Sequence, residues 1–106
     1  MKSLLEQKKQ IVEIGKRIYA RGYVASNDGN ISLRLSDDTI LITPTGVSKG
    51  FMQPRDLIVL DLDGNVLEGK RKQSSESDMH LQIYKARKDV ISICHTHPDL
   101  QLRAFR

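Results

Sequence analysis

The sequence predicts a mixed α/β unit whose sheet begins with antiparallel neighbours. Three observations predict it: apolar residues at helical spacing near the start, two strand-turn-strand patterns after them, and a second helical stretch that returns to an apolar strand. At 106 residues the chain is long enough for one unit with a modest core and too short for two.

Residues 3–21 form the first predicted helix. Leu4, Ile11, Ile14 and Ile18 follow at intervals of seven, three and four, which gathers them on one helical stripe. Ser3 and Glu6 make a Ser-x-x-Glu capping box, and Gly22 offers a left-handed stop. Core packing accounts for this stripe. The period then changes: "NISLRL" alternates, "TILIT" is a β-branched run, and "SDD" between them is turn chemistry, so residues 31–43 read as a hairpin. "LIVLDLDGNVLEG" repeats the device, with Asp63 and Gly64 turning the chain between strands at 57–62 and 66–67. "GKRKQSS", residues 69–75, is the most exposed-looking connection. "SSESDMHLQIYKARKD" reads as the second helix, with Ser74 or Ser75 as N-cap, acids in the first turn, and Met79, Ile83 and Ala86 as the inner stripe. "VISIC" returns to strand.

Composition narrows the function classes. The hydrophobic fraction is 39% and the charged fraction 28%, and no apolar run approaches the roughly 20 residues that span a bilayer. The start, "MKSLLEQKKQ", lacks the apolar region of a signal peptide, and one cysteine offers no internal disulfide, so the expected compartment is the cytoplasm. A formal charge of +4 suits an anionic partner, whether nucleic acid, an acidic surface or a phosphorylated metabolite. The basic residues are scattered, and three tyrosines, two phenylalanines and no tryptophan give little for bases to stack on, which argues against nucleic acid.

Three polar turns sit where elements begin or end: "SNDGNIS" at 26–32, "TPTG" at 43–46 and "SSE" at 74–76. Each offers small residues, hydroxyls or amides and backbone N–H groups, the material of a phosphate cradle, and the last adds a helix N-terminus. Each alone reads more readily as a plain turn than as a ligand site; their coincidence is the signal. His95 and His97 then stand one residue apart at the end of the last strand, where i and i+2 side chains share a face. Two imidazoles aimed at one point suit a metal, and the alternative is a structural pair satisfied by the backbone. Cys94 alternates to the opposite face as a small buried hydrophobe. His80, one helical turn beyond Glu76, is either a second donor beside it or a packed, hydrogen-bonded histidine.

"GNISLR", "ITPTGV", "SSESDMHLQIYK" and "HTHP" occur in the order and at roughly the spacing of the class II sugar-phosphate aldolase/adducin family, which the chain resembles from its first helix to Pro98. The resemblance implies a three-layer α/β/α fold with a mostly antiparallel central sheet, a homotetramer, and zinc-dependent retro-aldol cleavage of a ketose 1-phosphate such as L-fuculose 1-phosphate. By the same resemblance His95 and His97 are two zinc ligands, and Glu76 is the catalytic acid/base that also approaches the metal. Gly29, Asn30, Thr45, Gly46, Ser74 and Ser75 are the phosphate-binding set. One zinc per subunit is implied, with a third histidine ligand that the family carries further along; no histidine follows His97 here, and residues 99–106 are atypical of the family. Residues 1–106 thus read as one partial domain, the N-terminal half of the family's domain. Related members epimerise, dehydrate or decarboxylate sugar phosphates, and the adducin branch is a non-catalytic interaction domain; His95, His97 and Glu76 argue against that branch.

Overall fold

Helix α1, Leu4–Ala20, starts on the expected N-cap: Ser3 is extended, its Oγ accepts the Glu6 N–H at 3.1 Å, and its hydroxyl lies 3.2 Å from the Glu6 carboxylate. The computed structural model describes residues 2–21, 29–95 and 102–105, so the expected stop at Gly22 lies outside the described residues. The helix closes on Arg21, whose N–H reaches the Arg17 carbonyl at 3.2 Å. The strands are β1 Asn30–Ser36, β2 Thr39–Ile42, β3 Ile58–Asp61, β4 Val66–Glu68, β5 Ser92–His95 and β6 Leu102–Phe105, and α2, Ser77–Ala86, comes between β4 and β5. They form one sheet in the order β4-β3-β2-β1-β5-β6, with every pairing antiparallel.

Both predicted hairpins are present. In the second, the Asp61 carboxylate accepts the N–H groups of Asp63 and Asn65 at 3.0 and 2.9 Å, and Gly64 takes the left-handed φ of +89° that the turn needs. Strand alternation then sorts the apolar residues into two layers. Ile31, Leu41 and Val59 turn to one face and pack with Ile11 and Val12 of α1; Ile40, Ile42, Ile58, Leu60 and Ile93 turn to the other and pack with Leu81 and Tyr84 of α2. The sheet is therefore sandwiched between its helices, the three-layer α/β/α arrangement that the resemblance implies. No helix among the described residues is long and apolar enough to cross a membrane.

Helix α2 differs from its expected form in two ways. It begins later, with Glu76 as N-cap, because Ser74 first closes a turn: its Oγ accepts the Glu76 N–H at 3.1 Å and its carbonyl the Ser77 N–H at 3.0 Å. Its inner face is also rotated. Ser77, His80, Leu81 and Tyr84 are buried, Ile83 is half-buried and Ala86 is exposed. Hydropathy favours Met79, Ile83 and Ala86, but polar partners on β1 make the His80 and Tyr84 face the one worth burying.

Candidate metal and phosphate site

Because β1 runs antiparallel to both β2 and β5, the start of β1 and the ends of β2 and β5 fall at one edge of the sheet. Asn30 and His95 are register partners there, and His95 shares the α2 face with Ile93 two residues before it. The start of α2 reaches this same edge. Glu76 makes no side-chain cap bond to its own helix. Its carboxylate is held by two other elements instead: the Asn30 amide donates to Oε2, and Oε1 stands 3.5 Å from His95 Nδ1. Cys94 lies on the α1 side of the sheet, where burial pushes its thiol pKa up, as a small hydrophobe would require.

The polar turns are linked here by backbone and side-chain contacts. Thr45 N–H donates to the Lys72 carbonyl at 3.0 Å and Pro44 bridges Gln73, which joins the 43–46 turn to the run entering Ser74 and Ser75. Asn30 joins the first turn to the third through Glu76. Gly29 and Gly46 both adopt left-handed φ, +88° and +78°. A side chain at Gly46 would meet nothing within 4 Å, so that turn presents open backbone. The structure thus brings Asn30, Glu76 and His95 together and joins Thr45 to the run before Ser74, while Ser74 and Ser75 line a hollow with Asp63, Gly64, Gln73 and Asp78. His97 and residues 22–28, which hold the rest of the first turn, lie outside the described residues.

Below this edge the structure shows a polar seam absent from the sequence reading. Ser32 Oγ lies 2.6 Å from His80 Nδ1 and 2.7 Å from the Tyr84 hydroxyl. Arg34 donates to the Tyr84 carbonyl at 2.8 Å and places its guanidinium 4.9 Å from the centre of the Tyr84 ring. Residues 30, 32 and 34 of β1 thus meet 76, 80 and 84 of α2 in sequence. Two strand residues advance about 6.7 Å and four helical residues about 6.0 Å, so the two ladders stay in step over three rungs. The matched spacing N-x-S-x-R and E-x-x-x-H-x-x-x-Y is the signal from which the seam is predictable. Burial, aided by the neighbouring His95, lowers the His80 pKa to about 4, and burial raises that of Tyr84 to about 12, so both are neutral at pH 7.

An imidazole and a carboxylate 3.5 Å apart, partly shielded, are donors of the kind zinc takes. Among the described residues no group of three or more His, Cys, Asp or Glu side chains is gathered so as to hold a metal ion, and the further donor expected, His97, lies outside them. The pair fits as part of a zinc set.

Comparison with known proteins identifies the family of the chain. The family model described as class II aldolase and adducin N-terminal domain matches residues 9–102. The chain is 44% identical over 90 residues to the L-fuculose phosphate aldolase of Methanocaldococcus jannaschii, covering 85% of this chain and 48% of that protein. It is 43% identical over 93 residues to the 3-oxo-tetronate 4-phosphate decarboxylase of Haemophilus influenzae, covering 88% and 44%. It is 44% identical over 87 residues to the methylthioribulose-1-phosphate dehydratase of Granulibacter bethesdensis, covering 82% and 41%. The crystal structure of YgbL from Klebsiella pneumoniae superposes with a TM-score of 0.86 at 33% identity, over 92% of this chain and 46% of that one. The chain spans about half the length of the curated relatives it matches. With its three layers, its motif-bearing edge and a family match along most of its length, the chain belongs to the class II aldolase and adducin N-terminal domain family.

Proposed function

We propose that this chain contributes one part of a zinc-dependent sugar-phosphate lyase site, whose reaction is retro-aldol cleavage of a ketose 1-phosphate such as L-fuculose 1-phosphate to dihydroxyacetone phosphate and an aldehyde. The observation that carries the reading is the Glu76 carboxylate, turned away from its own helix and held between the Asn30 amide and the His95 imidazole. Asn30 occupies one carboxylate oxygen and leaves the other toward His95, so Glu76 has one defined oxygen with which to hold or move a proton. In cleavage Glu76 returns a proton to the carbon that keeps the electron pair of the broken bond; in condensation it takes that proton away. The turns carrying Gly29, Asn30, Thr45, Gly46, Ser74 and Ser75 hold the substrate phosphate and fix the reacting carbon against Glu76, a kind of positioning that lowers barriers by several kcal/mol. His95, His97 and Glu76 would hold the zinc, which when bound supplies Lewis-acid polarisation of the substrate's carbonyl and hydroxyl oxygens. Copies of the chain assemble as oligomers in this reading.

The relatives named a decarboxylase and a dehydratase favour a second reading, in which the same residues serve a different fate of a sugar phosphate. Both readings need the metal. Zinc titration of the wild-type chain, followed by direct measurement of bound metal, tests them together. His95→Ala and His97→Ala should each weaken binding at least about tenfold, about 1.4 kcal/mol, and Glu76→Gln should weaken it less because its main work is proton transfer. Unchanged affinity in both histidine variants, with the fold intact, would end the metal reading. Assaying aldol cleavage against decarboxylation of phosphorylated sugars then separates the two reactions.

A further inference from the structure

We propose that His80 is a positioning residue of this site: a one-way hydrogen-bond chain from Tyr84 through Ser32 holds its ring as the Nε2–H tautomer, so that the second ring nitrogen presents a fixed donor and no lone pair. The inference rests on the metal reading for its functional meaning, while the tautomer itself rests on hydrogen-bond accounting alone.

The accounting begins at Tyr84, which is fully buried. Its hydroxyl has one partner among the described residues, Ser32 Oγ at 2.7 Å. A buried phenol without an acceptor for its proton carries the whole desolvation cost of that donor, so the proton goes to Ser32. Ser32 is also fully buried and has a single proton to give. With Tyr84 donating to it, that proton goes to the remaining neighbour, His80 Nδ1 at 2.6 Å. Nδ1 is then the acceptor, and the neutral ring carries its proton on Nε2. The reverse direction leaves two buried atoms unmatched, the Tyr84 O–H and the Nε2 lone pair; the forward direction leaves one.

That one atom is informative. His80 Nε2 is buried with no hydrogen-bond partner among the described residues. The ring stands one helical turn beyond Glu76 and within electrostatic reach of His95. An N–H in that position takes an oxygen acceptor, the chemistry that a carboxylate, a water or a substrate oxygen brings to the edge above. A bare Nε2 lone pair there would instead offer that edge an acceptor. The Tyr84 and Ser32 hydroxyls prevent this by spending the other ring nitrogen as acceptor, much as hydrogen bonds beyond the ligands set histidine tautomers in metal sites generally.

Long-range proton-nitrogen NMR on the 15N-labelled, metal-free chain reads the tautomer directly. The expected result is an Nε2-protonated His80 ring that keeps this proton when zinc is added. Tyr84→Phe removes the group that gives the chain its direction and should shift the ring toward a mixture of tautomers, a change that a purely packing role for Tyr84 would not produce. His80→Ala should weaken zinc binding about tenfold, whereas His80→Gln, which retains an N–H near the Nε2 position, should stay within about threefold of wild type. An Nδ1-protonated ring in the wild type, loss of the Nε2 proton to zinc, or a Tyr84→Phe spectrum with an unchanged tautomer would each overturn the proposal. If the wild-type chain takes up no zinc, the metal reading falls by itself, and the metal-free spectra still decide the tautomer.

Discussion

His80 is fully buried beside a second imidazole, and its pKa of about 4 makes it a source of pH-dependent stability. The folded-state value lies below the unfolded value of 6.5, so the unfolded chain binds more protons between the two. This contribution to stability is complete above about pH 6.5 and is lost as pH falls toward 4, at a scale on the order of 3 kcal/mol. The polar groups around the ring are Ser32 from β1 and Tyr84 from α2, and His95 on β5 is the charged-state neighbour that acts on it. Urea unfolding in metal-free buffer across pH 7 to 4.5 should show the loss, and His80→Gln should flatten that part of the profile. Equal slopes in wild type and variant would assign the loss to other groups.

At the scale of the element, α1 turns on a glycine that helix propensity disfavours. A Cβ at Gly15 would stand 2.6 Å from the Lys49 carbonyl oxygen and 2.8 Å from Met52 Cε. The methionine end can move, but the carbonyl is main chain of the buried Lys49. Gly15→Ala gains about 1 kcal/mol of helix propensity and costs about 1–3 kcal/mol by overpacking, so the net effect should be destabilising. Thermal unfolding measures it, and a rise in Tm would show that the 49–52 segment yields freely. For α2 the comparable fact is its rotation. The apolar reading of Met79, Ile83 and Ala86 places the helix on the sheet but turns it by the wrong amount, because His80 and Tyr84 are buried by partners on a strand 48 and 52 residues away.

Across the whole molecule, the two apolar layers lie on opposite faces of one sheet. Leu60, at 0% exposure, belongs to the α2 layer, and Leu60→Ala should cost about 2–5 kcal/mol in chemical denaturation. Leu67 on β4 is 56% exposed, and Leu67→Ala should stay within about 0.5 kcal/mol. Similar losses in both would mean that the α2 layer is not packed as a core. The layers also place the chemistry. Antiparallel pairing of β1 with both β2 and β5 brings residues near 30, 44 and 95 to one edge, and the β4 to α2 connection delivers Gln73 and Glu76 to it.

From the sequence alone the elements as far as β5, both hairpins and the Ser3 cap of α1 were legible, because these depend on periodicity, turn chemistry and residue type within a few positions of each other; strand β6, in the atypical tail, was not. The sequence also marked Glu76 and His95 as candidates. It takes the packing of the sheet and helices to turn Glu76 from its helix end to Asn30 and His95, to stitch the 43–46 turn to the run before α2, and to set His80 and Tyr84 against Ser32. Each of these joins residues on different elements, far apart in the chain. A local pattern fixes which face of an element is worth burying when that face is apolar. When the face is polar its burial is favourable only beside a partner, and where that partner stands is settled by how the sheet and helices pack.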